Sequence, residues 1–329
     1  MTNPYDSPQE TSDTELVDVD ENDKPGLSRS AANVLLLFVG AIWGMAFIAQ
    51  QTAMEDMPAI LFIGLRFLLA AAVVAPLALR ESYKVDEPTS KKNVFRSVVL
   101  GLVFFTAMCC QQLGLLGTTV TNAGFLTALY VVMVPIGLLI VFHQRQPTAV
   151  WGASLVSILG IFLLSGGSLS GISWGDWLVV VCAVFWAVHV ILVGRFASET
   201  KRPITMATIQ FFVCGVVALA AHIVCGLAGW VKLGLTAEVF FAALPEILYA
   251  GALAGGLAFT LQIIAQQHTS PSIAAILMGS ESLFAAIFGA IILGDRLKPI
   301  GYLGCALIFA AVLAVELWPE KTSAANLDS

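Results

Sequence analysis

Charge is what this chain has least of. Only 12% of its 329 residues are Asp, Glu, Lys or Arg, about half the ~25% typical of soluble chains. A surface so poor in charge is not built to face water, and a hydrophobic share of 58% with a mean hydropathy of +0.88 makes lipid the expected solvent. Cysteine is sparse as well. All six (Cys109, Cys110, Cys182, Cys214, Cys225 and Cys305) fall in apolar runs without C-x-x-C spacing, so they read as small packing residues and not as a disulfide framework or a zinc site. No H-E-x-x-H, P-loop or G-x-G-x-x-G stands anywhere, so neither a metal nor a nucleotide cofactor is expected. No block of Lys or Arg suggests nucleic acid as a partner.

Residues 1–30 hold eight acidic side chains, Asp6 to Asp23, among prolines and polar residues. Such a segment buries too little apolar surface to order itself and is expected to be a disordered acidic tail on the cytoplasmic side. Without a positive start it is not a signal peptide. What is plentiful is long hydrophobic runs. Measured against the roughly 20 residues that cross a bilayer, ten spans emerge: 33–51, 59–79, 94–116, 121–142, 149–165, 173–196, 204–226, 244–268, 271–293 and 299–318. The stretch 227–243 is expected at the membrane surface, and 319–329 is a short C-terminal tail. With the N-terminus inside, twelve Lys and Arg fall on the cytoplasmic side against three (Lys232, Arg296, Lys298) outside. The positive-inside rule then places both termini in the cytoplasm of a multi-pass cell-membrane protein.

The landmarks repeat. A shift of 150 positions lays Gly101 on Gly251, Gln112 on Gln262 and Thr119 on Thr269, and nearby shifts lay Trp43 on Trp186 and Gly152 on Gly304. Each half, 33–167 and 173–318, holds five spans. Five is odd, so the second copy enters the membrane from the opposite face. The expected fold is an all-α integral membrane protein of ten transmembrane helices in two inverted five-helix repeats, an arrangement that puts a solute site near the midplane.

Trp43-Gly44, the run from Thr121 through Asn122-Ala123-Gly124-Phe125 to Pro135, Thr269-Ser270-Pro271, Glu281, Leu293-Gly294-Asp295-Arg296-Leu297 and Gly304 together resemble the EamA-type branch of the drug/metabolite transporter superfamily, from Asn33 to Trp318. The resemblance implies ten helices in two inverted repeats, cytoplasmic termini, and export or exchange of small metabolites. Ser282 stands where such proteins often have proline, and Asp295 where they often have glutamate.

Glu281 lies near the middle of an apolar span, where a charge costs about 2.5–3.5 kcal/mol on insertion scales and is by default functional. It could couple protons or bind a solute amine; a structural ion pair is the alternative. Arg66, the other intramembrane charge, could hold a solute carboxylate, pair with Glu281, or snorkel outward. Gln112 and Gln262 are matched in the repeat and could read solute polar groups, since an amide both donates and accepts. Gln262 continues a small-and-polar stripe of Gly251, Gly255, Ala258 and Gln266. Gln210, Gln111, Gln266 and Asn122 are weaker versions of the same case. Trp43 and Trp186 could wall a cavity, with His189 on the same face as Trp186; packing is the competing explanation for each. Gly171-Ile172-Ser173-Trp174-Gly175 fits the G-x-S-x-G pattern of hydrolases, but a polar connection before a helix is the wrong setting, and Ser173 is better read as a helix cap.

The expectation is a secondary transporter, an exporter or exchanger of a small organic solute such as an amino acid, with protons as a candidate coupling ion and the cavity walled by spans one to four and six to nine. A membrane sensor or scaffold is the alternative, and an intramembrane enzyme is disfavoured because the intramembrane ionisable groups are few and scattered. The Gly40–Gly44 and Gly251–Gly255 spacings permit close helix contact, within one chain or in a homodimer.

Overall fold

The computed structural model describes residues 27–85, 89–167, 172–288, 290–291 and 296–317. The acidic segment up to residue 26, the tail after 317 and most of the Leu293-Gly294-Asp295 motif lie outside them. Among the described residues the chain is helical without strands, and nine helices have the length and apolarity to span a bilayer. In chain order the crossings are α1 (Arg29–Asp56), α2 (Ala59–Lys84), α3 (Lys91–Gly114), α4 (Asn122–Phe142), α5 (Thr148–Leu164), α6 (Trp174–Glu199), α7 (Pro203–Leu227), α8 (Leu244–Ala265), α9 (Pro271–Phe288) and α10 (Pro299–Leu317). The tenth crossing, α5, is the shortest at 17 residues. The α7–α8 connection carries an exposed short helix, Ala237–Ala242.

Local chemistry sets the ends. Ser28 caps α1 by accepting from the Ala31 amide, so the helix starts at Arg29, ahead of the expected residue 33. Ser270 caps α9 with Pro271 at its first position, where a missing N–H costs nothing. Ser173 caps α6 in a full capping box: its hydroxyl accepts from the Asp176 amide at 3.0 Å while Asp176 Oδ2 accepts from the Ser173 amide at 2.8 Å. Asp176 also accepts from Thr118 on the α3–α4 connection. Ser173→Ala is therefore expected to lower unfolding stability by about 1 kcal/mol, read as a lower melting temperature of the detergent-solubilised protein.

Helices interlock where glycines let backbones meet. A Cβ at Gly160 of α5 would stand 2.8 Å from the Gly304 carbonyl oxygen of α10, and one at Gly304 would collide with Gly160 in return. Gly64 and Gly215 receive Leu219 and Leu68 reciprocally across the α2–α7 crossing. On the Lys/Arg-rich face the two halves are joined by polar bonds. Glu81 accepts from the Ile204 and Thr205 amides, Arg202 donates to Ser82, Thr89 and the Val85 carbonyl, and Arg96 pairs with Glu199 at 2.6 Å.

Three crossings depart from the continuous α-helices expected from the sequence. α4 breaks between Thr127 and Tyr130, and α9 breaks at Gly279–Ser280. In α8 the stretch Tyr249–Ala258 winds as a π-helix, with i→i+5 bonds. The stripe through Gly251 and Gly255 does not step at α-helical spacing. The wider turn is held from α1 by Trp43 Nε1, which donates to the Ala254 carbonyl at 3.0 Å, and by Tyr249, whose hydroxyl donates to the Ile42 carbonyl at 2.7 Å. Gly251 lets α8 approach the Arg66 carbonyl.

Candidate functional site

The breaks reveal the true register of the repeat. The caps Thr119 and Ser270, the ends of the first half-helices Thr127 and Met278, and the starts of the second halves Tyr130 and Glu281 all match at a shift of 151. The ends of α3 and α8, Gly114 and Ala265, match at the same shift. Gln262 is thus the mate of Gln111, not of Gln112 as the shift of 150 suggested. One residue is about 100° of helix rotation, enough to move a side chain to another face.

A small cavity of about 50 Å³ lies between the two halves, lined by α1 (Trp43, Ala46, Phe47, Gln50), α2 (Arg66, Phe67), α3 (Met108, Gln111), α4 (Thr127, Tyr130), α6 (Trp186, Val190), α8 (Ala250, Ala254, Phe259, Gln262) and α9 (Met278, Glu281). The matched pairs Met108/Phe259, Gln111/Gln262, Thr127/Met278 and Tyr130/Glu281 all face it. No lining residue comes from α7, α5 or α10, so seven of the eight expected crossings contribute.

Of the sequence candidates, Glu281, Arg66, Gln262, Trp43, Trp186 and the weaker Gln111 line the cavity. Glu281 is buried, opens the second half of α9, and makes no hydrogen bond or ion pair with the described residues. Arg66 does not pair with it. Its Nη2 lies 2.7 Å from the Met108 sulfur, its guanidinium sits over the rings of Phe62 (5.2 Å) and Phe67 (4.7 Å), and its Nε has no partner. Snorkelling is excluded, since Arg66 is only 3% exposed. Gln262 donates to Gln266, which donates to the Val190 carbonyl. Trp43 and Trp186 meet over Phe259: Trp43 is 4.4 Å from its ring, and Trp186 stacks on it at 5.6 Å and 2°. These rings form a packed wall.

Gln112, His189 and Gln210 lie elsewhere, as do the weaker candidates Gln266 and Asn122. Gln112 is fully buried and donates to the Gln50 carbonyl, tying α3 to α1. His189 and Gln210 bond each other at 2.9 Å between α6 and α7, with the Phe104 ring against His189. Both are fully buried outside the lining, and His189 Nδ1 and Gln210 Nε2 have no partner among the described residues. Tyr130, Thr127 and Gln50 were missed: a tyrosine or threonine in an apolar run gives no signal of its own until the break and the register are known. Among the described residues no three His, Cys, Asp or Glu side chains gather as a metal site.

Among the described residues, nine apolar helices of spanning length and the shorter α5, in two matched halves around a polar-edged cavity, define a multi-pass membrane protein of the transporter class. The chain belongs to the EamA-like transporter family, whose model matches it twice, over residues 30–166 and 173–317. An Archaeoglobus fulgidus protein described as an uncharacterized transporter is 28% identical over 292 residues, 89% of this chain and 88% of that one. The threonine/homoserine exporter RhtA of Escherichia coli is 26% identical over 234 residues, 65% of this chain and 74% of that one. A solved crystal structure superposes with a TM-score of 0.69 at 17% identity, covering 88% of this chain and 97% of that one, a likeness of fold.

Proposed function

We propose that the chain is a secondary transporter, an exporter or exchanger, for small solutes bearing both an ammonium and a carboxylate, the chemistry of amino acids. The observation that carries this is the cavity itself, which presents one buried carboxylate and one buried guanidinium that do not neutralise each other. Each buried charge lacking a partner is costly, and a zwitterionic solute supplies both partners at once. The relative named as a threonine/homoserine exporter supports the same class. With both termini cytoplasmic, the bonds made by Glu81, Arg202 and Arg96 lie on the inner face. Those bonds must open for the cavity to reach the cytoplasm, and differential binding of solute and proton to the two states supplies the bias.

Glu281 is the coupling group in this reading. Glu281→Gln, which keeps shape and loses ionisation, is expected to suppress proton-gradient-driven flux in proteoliposomes while solute counterflow continues. Gradient-driven flux equal to the parent protein's would remove Glu281 from the coupling mechanism. Should the protein be a sensor or scaffold, no candidate solute would exchange at all.

A further inference from the structure

We infer that Tyr130 is the solute-selecting counterpart of Glu281, the two receiving one primary ammonium group from opposite repeats; the inference rests on the transport reading above. Both residues begin the second half of a broken helix, 151 positions apart, and both face the same cavity. Both are buried, and neither Tyr130 Oη nor the Glu281 carboxylate bonds any described residue. A buried tyrosine hydroxyl ordinarily finds a partner, so one left open toward a cavity points to a partner that arrives with the solute.

The chemistry of the neighbours specifies that partner. Gln111, the mate of Gln262, commits its amide nitrogen to Thr127 Oγ1 at 3.2 Å, which leaves its carbonyl oxygen as an acceptor. The Glu281 carboxylate, the phenol oxygen of Tyr130 and the Gln111 carbonyl thus offer three acceptors to a group with three N–H donors. An N-acetylated or N-trimethylated solute, having lost these donors, forfeits the recognition while keeping the carboxylate end for Arg66.

The test is counterflow exchange in proteoliposomes with L-leucine, L-phenylalanine and L-threonine, and with the N-acetyl and N-trimethyl forms of whichever is carried. For that amino acid Tyr130→Phe is expected to raise KM about tenfold or more, the loss expected of a hydrogen bond to a charged group, with kcat little changed. Tyr130→His, which restores a ring acceptor, should recover part of the affinity, and the blocked forms should not exchange. An unchanged KM in Tyr130→Phe, or equal exchange of the N-trimethyl form, would overturn the role of Tyr130 and leave the transport reading standing. If the parent protein exchanges none of the three amino acids, both fall.

Discussion

Arg66→Met is expected to abolish solute exchange while leaving the protein at least as stable as its parent. The two signs follow from one environment. The guanidinium is buried without a carboxylate partner, and its contacts are a thioether sulfur, two aromatic faces and an Nε with nothing to bond. A residue kept for structure would not be arranged so poorly, because replacing buried charge by apolar side chains of similar volume is often neutral or stabilising by about 1–4 kcal/mol. If a solute carboxylate completes the site, removing the cation forfeits about 2–5 kcal/mol of binding, which is roughly 30-fold to several thousand-fold in affinity. Exchange rates in proteoliposomes and melting temperatures in detergent together decide it. A variant that melts lower yet still exchanges would recast Arg66 as structural.

Gly44→Val is expected to be the most damaging single change to the fold. Even the first added carbon would stand 2.7 Å from the Ala285 amide nitrogen, 2.7 Å from the Glu281 carbonyl oxygen and 2.9 Å from Phe284 Cβ. Two of these are backbone atoms that cannot turn aside. Overpacking a tight contact costs about 1–3 kcal/mol, so Gly44→Ala should already reduce the melting temperature, and the valine should sharply lower the yield of monodisperse protein. Because the displaced segment is the start of the second half of α9, solute exchange should fall with it. Gly124→Ala is the control. Nothing lies within 4 Å of its Cβ position, and a helical glycine replaced by alanine gains about 0.5–1 kcal/mol. Full stability in Gly44→Val would mean that α1 and α9 do not meet as described.

Both glycines stand in motifs that the sequence marked equally. That is a fair measure of what was legible. Hydropathy located ten crossings within a few residues, since the cost of exposing polar backbone or charge to lipid is paid along the chain itself. Caps such as Ser173 and Ser270 were legible for the same reason: donor and acceptor lie three residues apart. The intramembrane charges Glu281 and Arg66 stood out by their cost alone. Pairing within the repeat was legible only to within one residue, and that residue exchanged Gln111 for Gln112. The Gly40–Gly44 and Gly251–Gly255 spacings likewise did not say what they approach, which proves to be α9 and α2 of the same chain.

The sequence alone determined the solvent, the number of crossings and the doubled plan, because these depend on each segment's own transfer into lipid and on counting. The tertiary structure alone decided where α4 and α9 break, how α8 winds, and which side chains face the cavity. Those are settled by contacts between segments far apart in the chain, such as Trp43 with Ala254 and Gly44 with Ala285. In a bilayer, where apolar side chains are equally at home facing lipid or protein, only close packing and polar bonding choose among the faces of a helix.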